Sequence, residues 1–393
     1  MDSFRPRAAL SGVMLLTCTV LSLTMFCCPG AAQSASKEMS TCRIESVVFE
    51  GWQARQLSNS WVRIVVVPQL GGRVMQVYFE GHPYLFVNAK YKGLYISPQE
   101  AAKKDRWINY GGDKIWPLPE GSQDEHHWPG PISDLLDDGN YELTIVSEAP
   151  NCKIRLDGPA EPRTGLQYSR EIALSSDWPE IRFHAVMKNV ADHPIQWSMQ
   201  SVTQFDTGDP HQPENYNRDF WAFTPANSNS AYFGNYYVRD GLSDDPSFRV
   251  GDGLFCLHWL PLENEVWLDS LAGWLAIVDA AAGYAMIEKF HYVSGGDYPG
   301  KATVIFYKNG SLVHLDEQGF PALTTPNGET SARYMEAELN SPLVSLAPGE
   351  TYAMDTAWRP LRIKKPSDAG PVACTSLSRA IGDPEAPPKV DRK

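Results

Sequence analysis

Residues 61–79 read WVRIVVVPQLGGRVMQVYF, two runs of mostly β-branched and apolar residues separated by a Gly-Gly pair. Runs of this composition bounded by Gly and Pro predict β-strands joined by a turn. Further predicted strands of the same kind are Tyr84–Val87, Tyr141–Ser147, Leu166–Leu174, Glu180–Lys188, Ile195–Phe205, Trp274–Val278, Tyr284–Phe290, Lys301–Tyr307, Ala332–Leu339 and Tyr352–Trp358. Helical periodicity is confined to Pro98–Lys104, and the chain carries 30 Gly and 30 Pro. The sequence therefore predicts an all-β, antiparallel, loop-rich sandwich.

Two long stretches, Asn109–Gly139 and Asp206–Gly253, do not show the strand pattern and are rich in Trp, His, Asp, Asn and Gly. Irregular segments of this length inside a compact domain are usually functional or disordered. Their aromatic content argues against disorder, because disordered segments are poor in aromatic residues. We therefore expect these two stretches to be functional.

Residues 1–32 have the pattern of a secretory signal peptide. Two arginines near the start precede an apolar run over Val13–Cys28, and small residues follow up to Ala32 and Ala35. The run is short for a membrane-spanning helix of about 20 residues, which is the alternative interpretation. We expect cleavage after Ala32 or Ala35, and hence a secreted or periplasmic protein with no stable membrane anchor.

The other end of the chain, residues 364–393, is rich in Pro, Ala and charge without apolar periodicity, which predicts a disordered tail. The stretch between the two ends, residues 43–362, shows neither a linker-like segment nor an internal repeat. It predicts one sandwich domain, since all-β domains often reach this length.

The net charge is −13, from 34 Lys and Arg against 47 Asp and Glu. The sequence has no basic patch of the kind that nucleic acid requires, so no nucleic-acid partner is expected. An acidic surface favours neutral or cationic ligands, and it is also an ordinary source of solubility.

Four cysteines follow the signal segment: Cys42, Cys152, Cys256 and Cys374. An even number in an oxidising compartment predicts two disulfides, for which three pairings are possible, and buried free thiols are the alternative. The wide spacing excludes a sequence-local metal site, and we predict neither a metal nor a cofactor. The sequence carries no signal for the oligomeric state.

Residues 109–121, NYGGDKIWPLPEG, and residues 124–131, DEHHWPGP, bring polar and aromatic side chains together. Sugars have apolar C–H faces that stack on aromatic rings, and hydroxyl edges that need polar partners. This composition predicts a sugar-binding pocket, and its candidate residues are Asp113, Lys114, Trp116 and Trp128. The alternative is that the two tryptophans plug the open end of the sandwich core.

His126 and His127 are candidate acid–base residues, because imidazole titrates near neutral pH. Adjacent side chains on an extended segment point in opposite directions, so we expect only one of the two to face a site. A structural hydrogen-bonding role is the alternative for both.

Residues 332–339 read ARYMEAEL. On a strand, Tyr334, Glu336 and Glu338 share one face, and the apolar residues between them share the other. The two carboxylates then lie about 7 Å apart and are candidate catalytic residues if that face forms a site. On a solvated outer face they would have no such role.

Three segments resemble galactose-mutarotase-like proteins, in the order found in that superfamily. Leu70–Asn88 is similar to the opening strands, Lys188–Phe205 to the central strand pair, and Ser341–Leu361 to the closing strands with their Leu-x-Pro-Gly-Glu turn. Together with GGDKIWPLP and WPGP, the pattern resembles bacterial secreted domains of unknown function in the superfamily. The resemblance covers about residues 43–362, and it implies a large antiparallel β-supersandwich with a concave carbohydrate-binding face.

The resemblance also implies site residues. Arg73 and Asn88, in the first segment, are candidate substrate-binding residues. Aldose 1-epimerases of the superfamily use a histidine on the central strand as acid and a late glutamate as base, and the glutamate falls on Glu338 or Glu336. The histidine position falls near Gln200, which can bind a sugar hydroxyl but cannot transfer a proton at neutral pH. We therefore expect Gln200 to bind substrate and simple aldose anomerisation to be slow.

The leading functional interpretation is a secreted carbohydrate-binding protein, which would be an aldose 1-epimerase-like isomerase if it is catalytic. The expected acid–base pair is then Glu338 with His126 or His127. The alternatives are a non-catalytic glycan-binding module and a polysaccharide lyase or hydrolase.

Overall fold

A computed structural model shows two large antiparallel sheets that pack face to face. It describes residues 41–104, 107–121, 126–132, 134–209, 211–212, 215–310, 312–315, 321–324, 332–364 and 373–384. In chain order the strands are β1 (Arg43–Phe49), β2 (Trp52–Ser58), β3 (Val62–Val67), β4 (Arg73–Phe79), β5 (His82–Pro83), β6 (Asp113–Leu118), β7 (Glu142–Ser147), β8 (Cys152–Asp157), β9 (Leu166–Leu174), β10 (Ile181–Asn189), β11 (Ile195–Asp206), β12 (Phe220–Pro225), β13 (Tyr237–Gly241), β14 (Phe248–Gly251), β15 (Leu254–His258), β16 (Asn264–Leu268), β17 (Trp274–Asp279), β18 (Tyr284–Phe290), β19 (Val304–Lys308), β20 (Leu312–Leu315), β21 (Pro321–Thr324), β22 (Tyr334–Asn340), β23 (Val344–Leu346) and β24 (Thr351–Arg362). The helices are α1 (Pro98–Lys104), α2 (Leu135–Asp138) and α3 (Ala373–Ile381), and short 3-10 turns cover Ala89–Tyr91, Phe233–Asn235 and Pro299–Lys301.

The strand order defines two layers. The larger sheet runs β1-β2-β3-β4-β6-β11-β22-β19-β16-β13, with β5 added to β4 and β23 added to β11. The second sheet runs β14-β15-β12-β17-β18-β24-β10-β9-β8-β7, and β20 pairs with β21. The prediction of an all-β antiparallel sandwich is therefore confirmed.

The core between the sheets is built from alternate residues of the strands. In β9 every second side chain from Leu166 to Leu174 is buried. In β22 the buried Met335, Ala337 and Leu339 belong to the same hydrophobic cluster as the core side chains of the second sheet. Burial of a side chain such as Leu or Met stabilises a fold by roughly 1.5–3 kcal/mol. The other residues of β22 are thereby directed to the outer face of the larger sheet.

The interpretation of residues 109–139 and 206–253 as irregular is wrong for β6 and for β12, β13 and β14. β6 lies between β4 and β11 in the middle of the larger sheet, and its 6 residues are all buried. Its strand signal is masked by Pro117 and by the preceding Gly111 and Gly112. The two glycines have positive φ angles of 94° and 74°, and a Cβ on the first would lie 2.2 Å from a main-chain carbonyl oxygen. They are therefore needed for the tight entry into a central strand.

The prediction of a disordered tail over residues 364–393 is wrong for α3. Cys374, Leu377 and Ile381 are buried on one side of this helix, in an apolar cluster on the outer side of the second sheet. Their spacing is a helical pattern, but it is short and is flanked by proline and charged residues. Tertiary contact with the sheet stabilises a helix that its own sequence signals only weakly.

Two disulfides join Cys42 to Cys152 and Cys256 to Cys374, across sequence separations of 110 and 118. One of the three possible pairings is therefore selected, and the free-thiol alternative is wrong. The first bond ties the entry of β1 in the larger sheet to β8 in the second sheet, and the other ties β15 to α3. Loops of this length give disulfides a stabilisation of about 4.7 kcal/mol in the chain-entropy account.

None of the helices in the described part of the chain is long and apolar enough to span a bilayer. The predicted signal peptide, residues 1–32, lies outside the described residues. It stays a prediction.

Asp113, predicted to bind substrate, points instead into the core between the sheets. Its carboxylate pairs with the guanidinium of Arg170 on β9 and accepts a hydrogen bond of 3.1 Å from Thr203 Oγ1. Glu288 on β18 is fully buried nearby, and burial together with the Asp113 charge raises the pKa of Glu288 well above its usual range. The substrate-binding prediction for Asp113 is wrong, because the side chain serves an ion pair between the two sheets.

We predict that Arg170→Met destabilises the protein by about 3–5 kcal/mol, because it leaves Asp113 buried without its partner. The double variant Asp113→Leu, Arg170→Met removes both charges and is expected to recover much of that loss. Urea denaturation followed by tryptophan fluorescence measures both values. A double variant less stable than the single variant would contradict a mainly electrostatic cost.

Candidate functional site

The outer face of the larger sheet carries a group of polar side chains on β6, β11 and β22. Val202 pairs with Lys114 on β6 and with Glu338 on β22, and Gln204 pairs with Glu336. Directly paired residues of antiparallel strands lie on the same face of a sheet. The alternation predicted for ARYMEAEL is therefore present. The residues that this register brings together, called the carboxylate cluster below, are Lys114, Gln200, Gln204, Glu336 and Glu338.

Glu336 is held by two hydrogen-bond donors. Lys114 Nζ lies 2.9 Å from Glu336 Oε1, and Gln204 Nε2 donates to the same oxygen at 2.6 Å. Lys114 is buried, and its Nζ lies 4.5 Å from the ring centroid of Trp116 and 5.1 Å from that of Trp107. Burial lowers the pKa of Lys114, and the Glu336 carboxylate opposes that shift. Glu336 is therefore bonded to one cation and one amide donor.

Glu338 has the opposite environment. Its side chain accepts a hydrogen bond from Gln200 Nε2, and Lys114, which is bonded to Glu336, offsets only part of the rise in the pKa of Glu338. Burial raises the pKa of Glu338 well above its usual range, and the negative charges of Glu336 and Glu265 raise it further. Glu338 therefore retains its proton at a pH where an ordinary glutamate is ionised.

Behind the carboxylate cluster, Asp137 on α2 organises a buried network. Its Oδ1 accepts from Arg73 Nη2 at 2.6 Å and from Trp116 Nε1 at 2.7 Å, and its Oδ2 accepts from Trp107 Nε1 at 2.8 Å. Arg73 is fully buried. Its guanidinium supports Asp137 from inside the protein, and the substrate-binding role expected for Arg73 stays a prediction. The two indoles that Asp137 holds are those that flank Lys114.

Three further residues predicted to bind substrate are buried and contact other groups of the protein. Trp128 is fully buried and donates its indole N–H to Asp134 Oδ2 at 2.7 Å. Trp116 is only 8 % exposed, and its ring centroid lies 5.2 Å from that of Trp128. Trp116 pairs with Gln200, so its side chain lies on the same face as Lys114, and sugar stacking on Trp116 and Trp128 stays a prediction. Asn88 caps the turn Ala89–Tyr91 and bonds only main-chain groups in the contacts seen here, at 3.1 Å to Lys90 N and 2.9 Å to the Asn109 carbonyl.

His126 and His127 lie on the loop that returns from β6 to Trp128. His126 is exposed and His127 is half-buried. A Cβ on Gly121 would lie 3.0 Å from the His127 ring, so this ring packs closely on the loop. The pairing of either histidine with Glu338 stays a prediction.

A set of charged residues that the sequence analysis did not single out borders the carboxylate cluster. Arg239 Nη1 lies 3.3 Å from Glu265 Oε1 and 3.7 Å from Glu120 Oε2. Their side chains are 32 %, 17 % and 39 % exposed, more than the nearly buried cluster. Burial raises the pKa of both Glu120 and Glu265. The alternation of Glu265 and Trp267 in NEVWL was the available signal for this rim, which consists of Glu120, Arg239 and Glu265.

Two other kinds of candidate site, a metal site and a cavity, were compared with the carboxylate cluster. Among the described residues, no three His, Cys, Asp or Glu side chains are arranged to hold a metal ion. A cavity of about 330 Å³ lies on the outer side of the second sheet, and its lining includes Trp221, Arg249, Asp252 and the disulfide that ties α3. The carboxylate cluster is the better candidate, because two carboxyl groups with opposed environments meet there.

No family model matches the chain. Solved structures with a similar fold include a putative aldose 1-epimerase from Klebsiella pneumoniae, at 14 % identity and a TM-score of 0.51, with 86 % of this chain and 88 % of that chain covered. A galactose mutarotase-like protein from Clostridium acetobutylicum is similar at 11 % identity and a TM-score of 0.50, with 82 % and 99 % covered. The chain therefore has the galactose mutarotase-like fold, as its sequence resemblance predicted.

Proposed function

We propose that this chain is a carbohydrate-binding protein that performs epimerase-type acid–base chemistry on a sugar at the carboxylate cluster. The observation that carries the proposal is the pair Glu336 and Glu338, two residues apart on one face of β22. The fold is shared with proteins named for mutarotase and aldose 1-epimerase activity, which supports a sugar as the ligand. The signal segment and the two disulfides support a secreted or periplasmic protein.

The environments of the two glutamates suit different roles. Opening a sugar hemiacetal requires an acid at the ring oxygen and a base at the anomeric hydroxyl. Glu338 holds its proton because of burial and the neighbouring charges, and is the acid. Glu336 is paired with Lys114 and is the base. Side chains at these positions project from the strand about 7 Å apart, so both can reach one sugar ring.

This assignment changes the role expected for Gln200. Gln200 cannot donate a proton, but its side-chain N–H bonds Glu338. In the proposed mechanism it orients the carboxyl group of Glu338, which takes over the task of the missing central-strand histidine. His126 and His127 are then not required for proton transfer.

A non-catalytic glycan-binding module is the second candidate, and one observation favours it. Glu336 and Glu338 are each only 6 % exposed, and each is already bonded to a glutamine side chain. To bind at the two glutamates, a sugar would have to break the hydrogen bonds that these carboxyl groups already make with the glutamines. If the sugar stays at the rim of Glu120, Arg239 and Glu265, it is bound without reaction.

We predict that Glu338→Gln and Glu336→Gln each reduce catalysed anomerisation of the best aldose by about 10²–10⁴-fold, the usual cost of losing a positioned acid or base. Polarimetry of freshly dissolved α-anomers with purified protein measures the rate. Glu171→Gln is the matched control, because Glu171 is a part-buried glutamate paired with Lys153 in the second sheet. It should leave the rate unchanged.

Two results separate the candidates. If the wild-type protein binds a sugar by calorimetry but accelerates no anomerisation, the binding module is correct and the catalytic proposal fails. If His126→Ala, His127→Ala abolishes turnover while Glu338→Gln does not, the acid is a histidine rather than Glu338.

We predict that Glu338 makes the free energy of unfolding fall as pH rises. Its pKa is higher in the folded than in the unfolded chain, so above the unfolded value of about 4.3 the folded state binds more protons. The slope from one such group is about 1.4 kcal/mol per pH unit, up to the folded pKa. Urea titrations of wild type and Glu338→Gln between pH 5 and pH 8 measure the difference, and parallel curves would contradict the raised pKa.

A further inference from the structure

A row of side chains leads away from Glu338 across the outer face of the larger sheet. Glu338 pairs with Ile305 on β19, Ile305 pairs with Trp267 on β16, and Trp267 pairs with Tyr237 on β13. Paired residues of antiparallel strands share a face, so all four project to the same side. Three strand spacings of about 4.8 Å place Tyr237 roughly 14 Å from Glu338. A single pyranose ring at Glu338 does not reach that far.

The far end of this row is an exposed aromatic surface, called the aromatic platform and made of Tyr232, Tyr237 and Trp267. Tyr237 is 49 % exposed. Its ring is stacked on Tyr232 with a centroid distance of 6.0 Å, and it meets Trp267 edge to face at 6.0 Å. Tyr232 and Trp267 are half-buried, so the exposed ring of Tyr237 lies on the edge strand beside two further rings that form one aromatic surface.

The platform is held in position by its own contacts. Tyr232 donates its hydroxyl to the Gly300 carbonyl at 2.5 Å, and Trp267 donates its indole N–H to Glu265 Oε1 at 2.5 Å. A Cβ on Gly300 would lie 1.9 Å from the Trp267 ring, so this glycine lets the indole sit against the backbone. Rings fixed in this way lose little conformational entropy on binding.

The charged side chains beside the rings indicate which kind of ligand the platform binds. The guanidinium carbon of Arg239 lies 5.4 Å from the centroid of the Trp267 ring, and Glu120, Asp240 and Glu265 surround that guanidinium. Flat aromatic surfaces next to planar charged groups match the apolar faces and hydroxyl edges of sugars. The platform is also continuous with the carboxylate cluster through the pairing of Trp267 and Ile305.

We propose that the aromatic platform is a subsite for additional sugar residues. The ligand is then an oligosaccharide whose reducing-end ring lies at Glu336 and Glu338 while a following ring stacks on Tyr237. This inference rests on the proposed function for the reducing end, because only that ring carries the free anomeric hydroxyl on which acid–base chemistry acts.

The test compares chain lengths. An array of neutral and amino-sugar oligosaccharides of one to six residues identifies the preferred series, and calorimetry then gives the Kd of each member. We expect the Kd to fall by about tenfold or more from the monosaccharide to the trisaccharide, equivalent to about 1.4 kcal/mol. Tyr237→Ala removes this gain and leaves the monosaccharide Kd unchanged.

A matched control is Trp178→Ala, because Trp178 is a 41 % exposed aromatic residue away from the platform. It should keep the full length dependence. Trp267→Phe is a second variant that retains a ring without the indole N–H, and it should keep part of the gain. Thermal unfolding of each variant verifies that it is folded.

The outcomes separate this proposal from the function proposed above. Monosaccharide binding with a Kd independent of length overturns the platform and leaves the proposed function standing. Length-dependent binding that Glu338→Gln and Glu336→Gln do not affect, without catalysis, supports the platform and overturns the acid–base chemistry. Absence of binding to every sugar on the array overturns both.

Discussion

The buried ion pair between Lys114 and Glu336 sets the electrostatics of the outer face. Moving two charges out of water costs several kcal/mol per ion, and this cost is offset only if both ions are well bonded. Here the ammonium lies beside two indole rings and the carboxylate accepts a second bond from Gln204. Burial raises the pKa of the adjacent Glu338, and the charge of Glu336 raises it further. The ion pair therefore gives two identical side chains on one strand different environments.

Strand β6, which carries Lys114, also contributes to the core, because neighbouring residues on a strand point to opposite faces of the sheet. Asp113 points inward to Arg170 on the second sheet. Lys114 points outward to Glu336, which is on the larger sheet together with β6. The first pair joins the two layers, and the other builds the candidate site. A shift of the register of β6 by one residue would exchange these roles and leave both pairs broken. The position of the site is thus coupled to the packing of the sandwich.

The sequence predicted side-chain positions best where the alternation of residues along a strand also determines which side chains are buried. The alternation of ARYMEAEL located the two glutamates on one face, because a period of two is a property of the strand itself. The burial of Trp116 and Trp128 was not predictable, because composition does not reveal whether a ring faces solvent or an aspartate such as Asp137. The rim residues were missed for a related reason: Glu120 and Arg239 are far apart in the chain, and only the folded sheet brings them together.

The position of β24 has a consequence for how the chain reaches this fold. β24 covers Thr351–Arg362 and lies between β10 and β18 in the middle of the second sheet. Until this segment has been made, the second sheet is two separate halves with unpaired edges, and such edges readily pair with other chains. Synthesis from the N-terminus proceeds at about 5–20 residues per second, so these edges stay open for many seconds on each nascent chain. A chain that ends before Thr351 therefore lacks the strand that joins the two halves of the second sheet.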